Sequence, residues 1–412
     1  MQIIFYIALI GGGIMAWAVG ANDVANAMGT SVGSKAISIK KAIIIAALFE
    51  TLGAVLSSQE VTQTIQRGLV PVAYYANDPM TLVYGMSAAL YASAFWLILA
   101  STRGWPVSTT HSIIGAVVGF GVATQGMGSL PWDAVRVVAV GWVVTPLASA
   151  LVSWSVFRLM QIFIFSRSDP LALMTRYAPV AVALISLPIF KLVFEGSYSI
   201  MGVSSDLDYG LYVVVALSSL VSWWVASRLI AGYSFDQSTV SATLESIERV
   251  FALLVVVSAC VMAFSHGAND VANAIGPMAL IFDILSDGRL SDVANTPPII
   301  VLYGAVGVSL GVCMYGYRVM ERVGSGITVL SPSRSFAAQL STGIIVLTAS
   351  FLGFPVSTTQ TLVGGVLGVG LARGLAAVDL AIVRGIFFSW MITIPTGALL
   401  SIFFFHLFQW VL

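Results

Sequence analysis

The sequence GANDVANA occupies Gly20 to Ala27 and returns unchanged at Gly267 to Ala274. Each copy sets two asparagines, an aspartate and a glycine inside an apolar stretch of membrane-crossing length. A second pair accompanies it, GWPVSTTHSIIGAVVG from Gly104 and GFPVSTTQTLVGGVLG from Gly353. The separation is 247 positions from Asp23 to Asp270 and 249 from Pro106 to Pro355, so one duplicated unit accounts for both pairs.

The rest of the chain fits a membrane setting. Of 412 residues, 58% are hydrophobic and 9% charged, with a mean hydropathy of +0.97, whereas soluble domains carry about 25% charged residues. The fold expected is an all-α polytopic membrane protein in contact with the lipid bilayer. Net charge is zero and no basic run occurs, which excludes nucleic acid as a partner. The two cysteines, Cys260 and Cys313, lie in apolar runs and make neither a disulfide framework nor a cysteine metal cluster. The N-terminal MQIIFYIALIGGG lacks a positive leader and runs into the first motif, so it reads as the first span rather than a cleaved signal.

Taking about 20 residues per crossing, twelve segments of spanning length can be marked. They cover residues 3–27, 42–59, 81–101, 106–123, 134–157, 178–194, 211–230, 251–273, 299–317, 335–352, 355–372 and 380–411. The twelfth is long enough to be kinked at Pro395, and the fifth is expected to carry a similar kink at Pro146. Placing the N-terminus outside puts fourteen of the 18 lysines and arginines on the cytoplasmic side and leaves Arg67, Arg136, Lys191 and Arg289 outside. Both termini are therefore expected outside a cell membrane, plasma or inner. The same count requires the PVSTT segments to reverse the chain, as broken helices or as re-entrant hairpins.

The two GANDVANA copies are also expected to cross in opposite directions. Lys35, Lys40 and Lys41 follow the first, whereas Asp283, Asp287, Arg289 and Asp292 follow the second. Residues 1–160 then form one inverted repeat with spans 1–5, residues 161–249 supply linking spans 6 and 7, and residues 250–412 form the second repeat. Arg136 with Arg384, Trp142 with Trp390, and Pro146 with Pro395 support this register. Oppositely oriented duplicates with interrupted helices point to a secondary transporter whose site lies near the bilayer midplane.

An aspartate at that depth needs a cation, a proton or a water-lined space, and Asp23 and Asp270 are expected to share one site. Gly20 and Gly267 offer a backbone that can unwind and free carbonyl oxygens beside them. Carboxylate, amide, carbonyl and hydroxyl oxygens are hard ligands suited to sodium. The PVSTT copies read as helix starts with proline in the first turn, where hydroxyls and unpaired N–H groups face an anion. No lysine or arginine lies within the four motifs, so co-bound cations must balance the anion's charge. That favours symport of an oxyanion with sodium or protons.

With these motifs the chain resembles the inorganic phosphate transporter (PiT) family, which includes the sodium/phosphate symporters. The doubled GANDVANA and PVSTT segments carry the resemblance, which covers both halves. It implies phosphate uptake coupled to sodium in some members and protons in others, by a homodimer, with sodium as transported substrate and no resident cofactor. Carried to matching positions, it points to Asn22, Asp23, Asn269 and Asp270 and to Ser108, Thr109, Thr110, Ser357, Thr358 and Thr359. Phosphate is expected on Asn22, Asn269 and the two Ser-Thr-Thr runs. Sodium is expected on Asp23, Asp270, Asn22, Asn269, Ser108 and Ser357.

Other residues are open to more than one reading. Asn26 and Asn273 either join the cation sites or bond between helices. Glu50 is a cation ligand, a proton acceptor or an internally paired residue, with no acidic counterpart near Gly304. His111 and His266 are expected to pack or hydrogen-bond, and Gly115, Gly119, Gly364, Gly365 and Gly368 to permit close packing. Gln339, Arg136 and Arg384 have no assigned role. Two intramembrane aspartates would also suit an aspartyl protease, but that chemistry needs no duplicated Ser-Thr-Thr segment. An anion channel is a further alternative, and no enzymatic activity is expected. Sulfate is the main competitor of phosphate. The acceptors Asp23, Asp270, Asn22 and Asn269 favour phosphate, which keeps protons to donate near neutral pH.

Overall fold

Backbone N–H and C=O groups inside a bilayer find no water, so a spanning chain must satisfy them within each segment. The computed structural model meets this with helices alone among its described residues, which are all but 1, 104, 106, 201–208, 288–295, 325–330 and 375–379. In chain order the α-helices are α1 (Gln2–Gly33), α2 (Ile39–Ser57), α3 (Gln59–Gln63), α4 (Pro79–Arg103), α5 (Thr109–Gln125) and α6 (Trp132–Met160). There follow α7 (Pro170–Ile200), α8 (Tyr209–Ala231), α9 (Val240–Asp270), α10 (Ala272–Asp287) and α11 (Pro298–Met314). The last four are α12 (Gly316–Gly324), α13 (Pro332–Phe351), α14 (Thr358–Arg373) and α15 (Leu380–Val411).

All twelve expected segments are helical, but only seven described stretches are long and apolar enough to cross a membrane on that ground alone. These are α1, α4, α6 with the turn after it, α7, α8, α9 joined to α10, and the part of α15 from Phe388. The other five, α2, α5, α11, α13 and α14, are shorter or more polar. At 17 and 16 residues, α5 and α14 are about 24–26 Å long, less than the roughly 30 Å of bilayer hydrocarbon.

Packing follows a matched pattern. Helix α1 lies against α11 as α9 lies against α2; α1 packs on α4 as α9 packs on α13. In the same way α5 meets α4 and α15, while α14 meets α13 and α6. Glycines set the closest of these approaches. Gly20 lies against the Val308 carbonyl and Gly311 against that of Trp17; Gly267 lies against the Glu50 carbonyl and Gly53 against that of Phe264. Between α5 and α15, Gly115 and Gly119 face Ile394 and Ala398, and between α14 and α6, Gly364 and Gly368 face Pro146 and Ala150. Gly365 sits against Thr342 and the Ala338 carbonyl. Small residues let helix backbones touch where lipid supplies no hydrophobic drive.

One expectation is corrected here. Gly20 does not unwind its helix, because α1 runs unbroken through Gly20–Ala27; after Gly267 only Val271 separates α9 from α10, with near-helical φ −61° and ψ −30°. The motif glycines serve backbone contact instead. Helices α6 and α15 continue through Pro146 and Pro395, each proline removing one donor without ending its helix. Pro106, Arg289 and Asp292 lie outside the described residues, as do the side chains of Asp287 and Arg384.

A Cβ at position 267 would collide with a carbonyl that belongs to helix backbone and cannot swing away. Gly267→Ala should therefore cost about 1–3 kcal/mol, seen as a lower unfolding temperature of the purified protein. Gly128→Ala, where nothing lies within 4 Å of the added carbon, should change stability by less than about 0.5 kcal/mol. Equal effects would contradict the packing account.

Candidate transport site

Two helix N-termini form one wall of the site. Ser108 caps α5, its side chain accepting from the His111 N–H at 3.2 Å, and Ser357 caps α14, accepting from the Gln360 N–H at 3.2 Å. Pro355 is thus not in the first helical turn. Pro355 stands two residues before the cap, in extended chain that follows the left-handed turn at Gly353, φ +70°. Each serine oxygen is used as a cap acceptor, while its hydroxyl hydrogen remains free to donate. Thr109, Thr110, Thr358 and Thr359 open the two helices, all buried, beside backbone N–H groups that no helix carbonyl can reach.

The asparagines divide into two kinds. Asn22 and Asn269 hold the break of their own half. Asn22 Nδ2 donates to the Val107 carbonyl at 3.4 Å and to Asp23 Oδ1 at 2.8 Å, and its Oδ1 accepts from Ser101 Oγ at 2.9 Å. Asn269 Nδ2 donates to Ser350 Oγ at 3.0 Å and the Phe354 carbonyl at 3.1 Å, and its Oδ1 accepts from the Val356 N–H at 3.2 Å. Asn26 and Asn273 instead reach across to the other half. Asn26 Nδ2 donates to Thr359 Oγ1 at 2.8 Å and to Asp23 Oδ1 at 3.0 Å; Asn273 Nδ2 donates to Thr110 Oγ1 at 3.3 Å. The Thr110 hydroxyl continues to the Val356 carbonyl at 2.9 Å, and Thr358 donates to Asp270 Oδ2 at 2.7 Å. The four motifs, far apart in sequence, make one cluster.

Behind this wall lies the charge. Asp23, Glu50, Asp270 and His266 are all fully buried, with His266 Nε2 3.0 Å from Asp270 Oδ2 and 3.9 Å from Asp23 Oδ2, and Nδ1 3.2 Å from Glu50 Oε1. Glu50 thus lies beside His266 inside the cluster, and His266 faces all three carboxylates. One ligand atom from each of Asp23, His266 and Asp270 lies within 4.8 Å of the others. Among the described residues, Asp23 Oδ2, Asp270 Oδ1, both Glu50 oxygens and Asn273 Oδ1 have no hydrogen-bond partner. Buried oxygens left unpaired are costly; this donor set suits a hard monovalent cation carried as substrate. His111 packs its ring 4.0 Å from that of Trp142, whose Nε1 donates to the Pro355 carbonyl at 3.2 Å. Its role is packing, as expected.

Sequence reading missed Ser101 and Ser350, although their 249-residue spacing repeats that of Pro106 and Pro355 and extends the duplicated stretch upstream. It read His266 only as a packing or hydrogen-bonding residue. The position 247 residues earlier is Val19, and Glu50 is matched across the paired glycine contacts by Val308, so this pair exists once only.

Known proteins resemble this chain. A model of the phosphate transporter family matches residues 19–401. The chain is 41% identical to a candidate phosphate permease of Haemophilus influenzae over 97% of this chain and 96% of that one. It is 39% identical to the chloroplastic inorganic phosphate transporter 2-1 of Arabidopsis thaliana, covering all of this chain and 73% of the relative. A solved structure, the sodium-dependent phosphate transporter, superposes with a TM-score of 0.90 at 37% identity over the whole of both chains. The chain belongs to the phosphate transporter family.

Proposed function

We propose that this protein takes up inorganic phosphate by symport with sodium, through alternating access around one site that two inverted repeats build together. Residues 1–160 and 250–412 are the repeats, 161–249 link them, and the working unit is a homodimer with both termini outside. One observation supports this most: two capped helix N-termini converge on three buried carboxylates, each with at least one oxygen that has no hydrogen-bond partner among the described residues. The matched helix contacts and the crossed pairs Asn26–Thr359 and Asn273–Thr110 support a site shared by both halves. The sodium dependence named for the solved relative favours sodium here.

In this reading Ser108, Thr109, Thr110, Ser357, Thr358 and Thr359 donate hydroxyl and N–H hydrogens to phosphate oxygens. Asp23 and Asp270 each hold a sodium ion. Asn22 and Asn269 keep the two breaks in register, so that both helix ends stay aimed at the anion. Protons retained by phosphate meet carboxylate oxygens, which sulfate cannot exploit. Without cations, phosphate would join three carboxylates within a few ångströms, where each like-charge pair repels by several kcal/mol. Sodium and phosphate must then raise each other's affinity equally. Proton symport is the second reading, favoured by His266 among the three carboxylates.

Purified protein in proteoliposomes separates these readings. Phosphate should accumulate under an inward sodium gradient at equal pH and not under a proton gradient without sodium. The reverse result would establish proton coupling, and uptake driven by neither gradient would remove symport. In the same assay Asp23→Asn and Asp270→Asn should each abolish sodium-driven accumulation while folded protein persists. Thr358→Val loses a hydrogen bond to a charged group worth about 1.5–3 kcal/mol, so phosphate affinity should fall at least about tenfold; an unchanged affinity would take α14 out of the site.

Topology has its own check. Single cysteines between Lys35 and Lys41 and at Phe282 should be modified from opposite faces of sealed vesicles. Modification from one face would mean parallel repeats.

A further inference from the structure

We propose that the crevice between α1 and α14 is the path by which phosphate passes between the site and the Lys35 side of the membrane. The Thr30 hydroxyl is the first donor it meets beyond Asn26 and Thr359. The ligand's identity rests on the phosphate reading above; the path rests on geometry.

Helix α14 packs on α1, and the two are bridged at the site by Asn26 and Thr359. From there Asn22, Asn26, Thr30 and Ser34 follow at four-residue intervals, one per turn, and each is 6–7% accessible. On α14, Thr359, Val363 and Val366 are 5–6% accessible. The duplicated half provides an internal control. Asn269, Asn273 and Ile281 are 0–2% accessible with Pro277 buried, and Thr110, Ile114 and Val117 on α5 are also 0–2%. Both walls of one crevice keep slight accessibility, 5–7%, while both walls of its counterpart are at 0–2% or buried.

The chemistry differs in the same sense. Thr30 Oγ1 is buried with no hydrogen-bond partner, a state that costs free energy unless water or a passing solute meets it. One turn on, the Ser34 hydroxyl bonds only to the Ser31 carbonyl, at 3.1 Å. The second copy has Pro277 and Ile281 at these places, neither of which offers a side-chain donor. Just past α1, exposed Lys35 stands at the mouth, where a cation attracts an anion.

The opposite approach is covered. Helix α3 and the π-helical turn after it, Thr64–Gly68, seat on α10 where Gly276 meets Thr62 and Ile65. Thr64 Oγ1 donates to the Gly353 carbonyl at 2.7 Å, and Arg67 pairs with Asp283 at 3.0 Å. The site is thus sealed at one end and fissured at the other.

The test uses the full chain with Cys260→Ser and Cys313→Ser, carrying a single cysteine at Thr30, Val363, Ile114 or Val117. Cysteine reactivity follows exposure, so a membrane-impermeant thiol reagent should modify Thr30→Cys and Val363→Cys at least about tenfold faster than the other two. It should do so from the Lys35 side, and phosphate with sodium should slow it. Equal rates in both rows, or no phosphate protection, would overturn the path. Thr30→Val, lacking one neutral donor, should slow phosphate counterflow about two- to tenfold while leaving equilibrium phosphate affinity unchanged. An equal loss in affinity would make Thr30 part of the site and overturn its assignment to the path. Absence of phosphate binding by the unmodified protein, measured first by equilibrium dialysis, would sink the functional reading; binding without the labelling contrast overturns this inference alone.

Discussion

Three carboxylates and one imidazole share a single buried space in this protein, and nearly everything else answers to that constraint. Asp23, Glu50 and Asp270 cannot all stay charged in a low-dielectric interior without positive charge close by. His266 touches all three within 4 Å. The α2–α9 contact that brings Glu50 to His266 depends on Gly267 and Gly53, each lying on a carbonyl of the other helix. A single methyl at either glycine would push the acid and the base apart. The helix ends of α5 and α14 face the same cluster from outside and offer positive dipole ends to an anion. Carboxylates call for cations and helix ends call for an anion, so cation and anion are drawn to one place.

Much of this was legible in the sequence because duplication prints the same letters twice. The repeated GANDVANA and PVSTT, with nearly equal spacing, marked the four segments that meet at the site. Asp23, Asp270 and the Ser-Thr-Thr runs were found by residue type alone, since ionisable and hydroxyl groups in apolar spans need a reason to be there. The glycines at 115, 119, 364, 365 and 368 were recognised as packing positions for the same reason.

What the letters could not convey was partner identity. Gly20 and Gly267 looked like hinge residues because glycine permits both unwinding and close approach; only Val308 and Glu50 opposite them decide which. Proline before Ser-Thr-Thr suggested a first-turn residue, but serine is the better N-cap and puts the start of α14 three residues after Pro355. His266 lacked a repeat partner and so was read only as a packing or hydrogen-bonding residue, although lack of symmetry is what makes it informative. Val19 and Val308 stand where His266 and Glu50 would be in the other half. A transporter with two identical halves would treat both aspartates alike. Here Asp270 has the imidazole at 3.0 Å and Asp23 has it at 3.9 Å, so the surroundings of the two aspartates are unequal from the start.

The account stands on the dependence of anion on cation, and equilibrium binding measures that directly. Phosphate affinity of the purified protein, followed across a hundredfold range of sodium at constant pH and ionic strength, should rise with a log–log slope of about two below saturation, as reciprocal linkage of one phosphate with two cations requires. A slope of zero would contradict it, because the three carboxylates would then accept the anion with no sodium beside them.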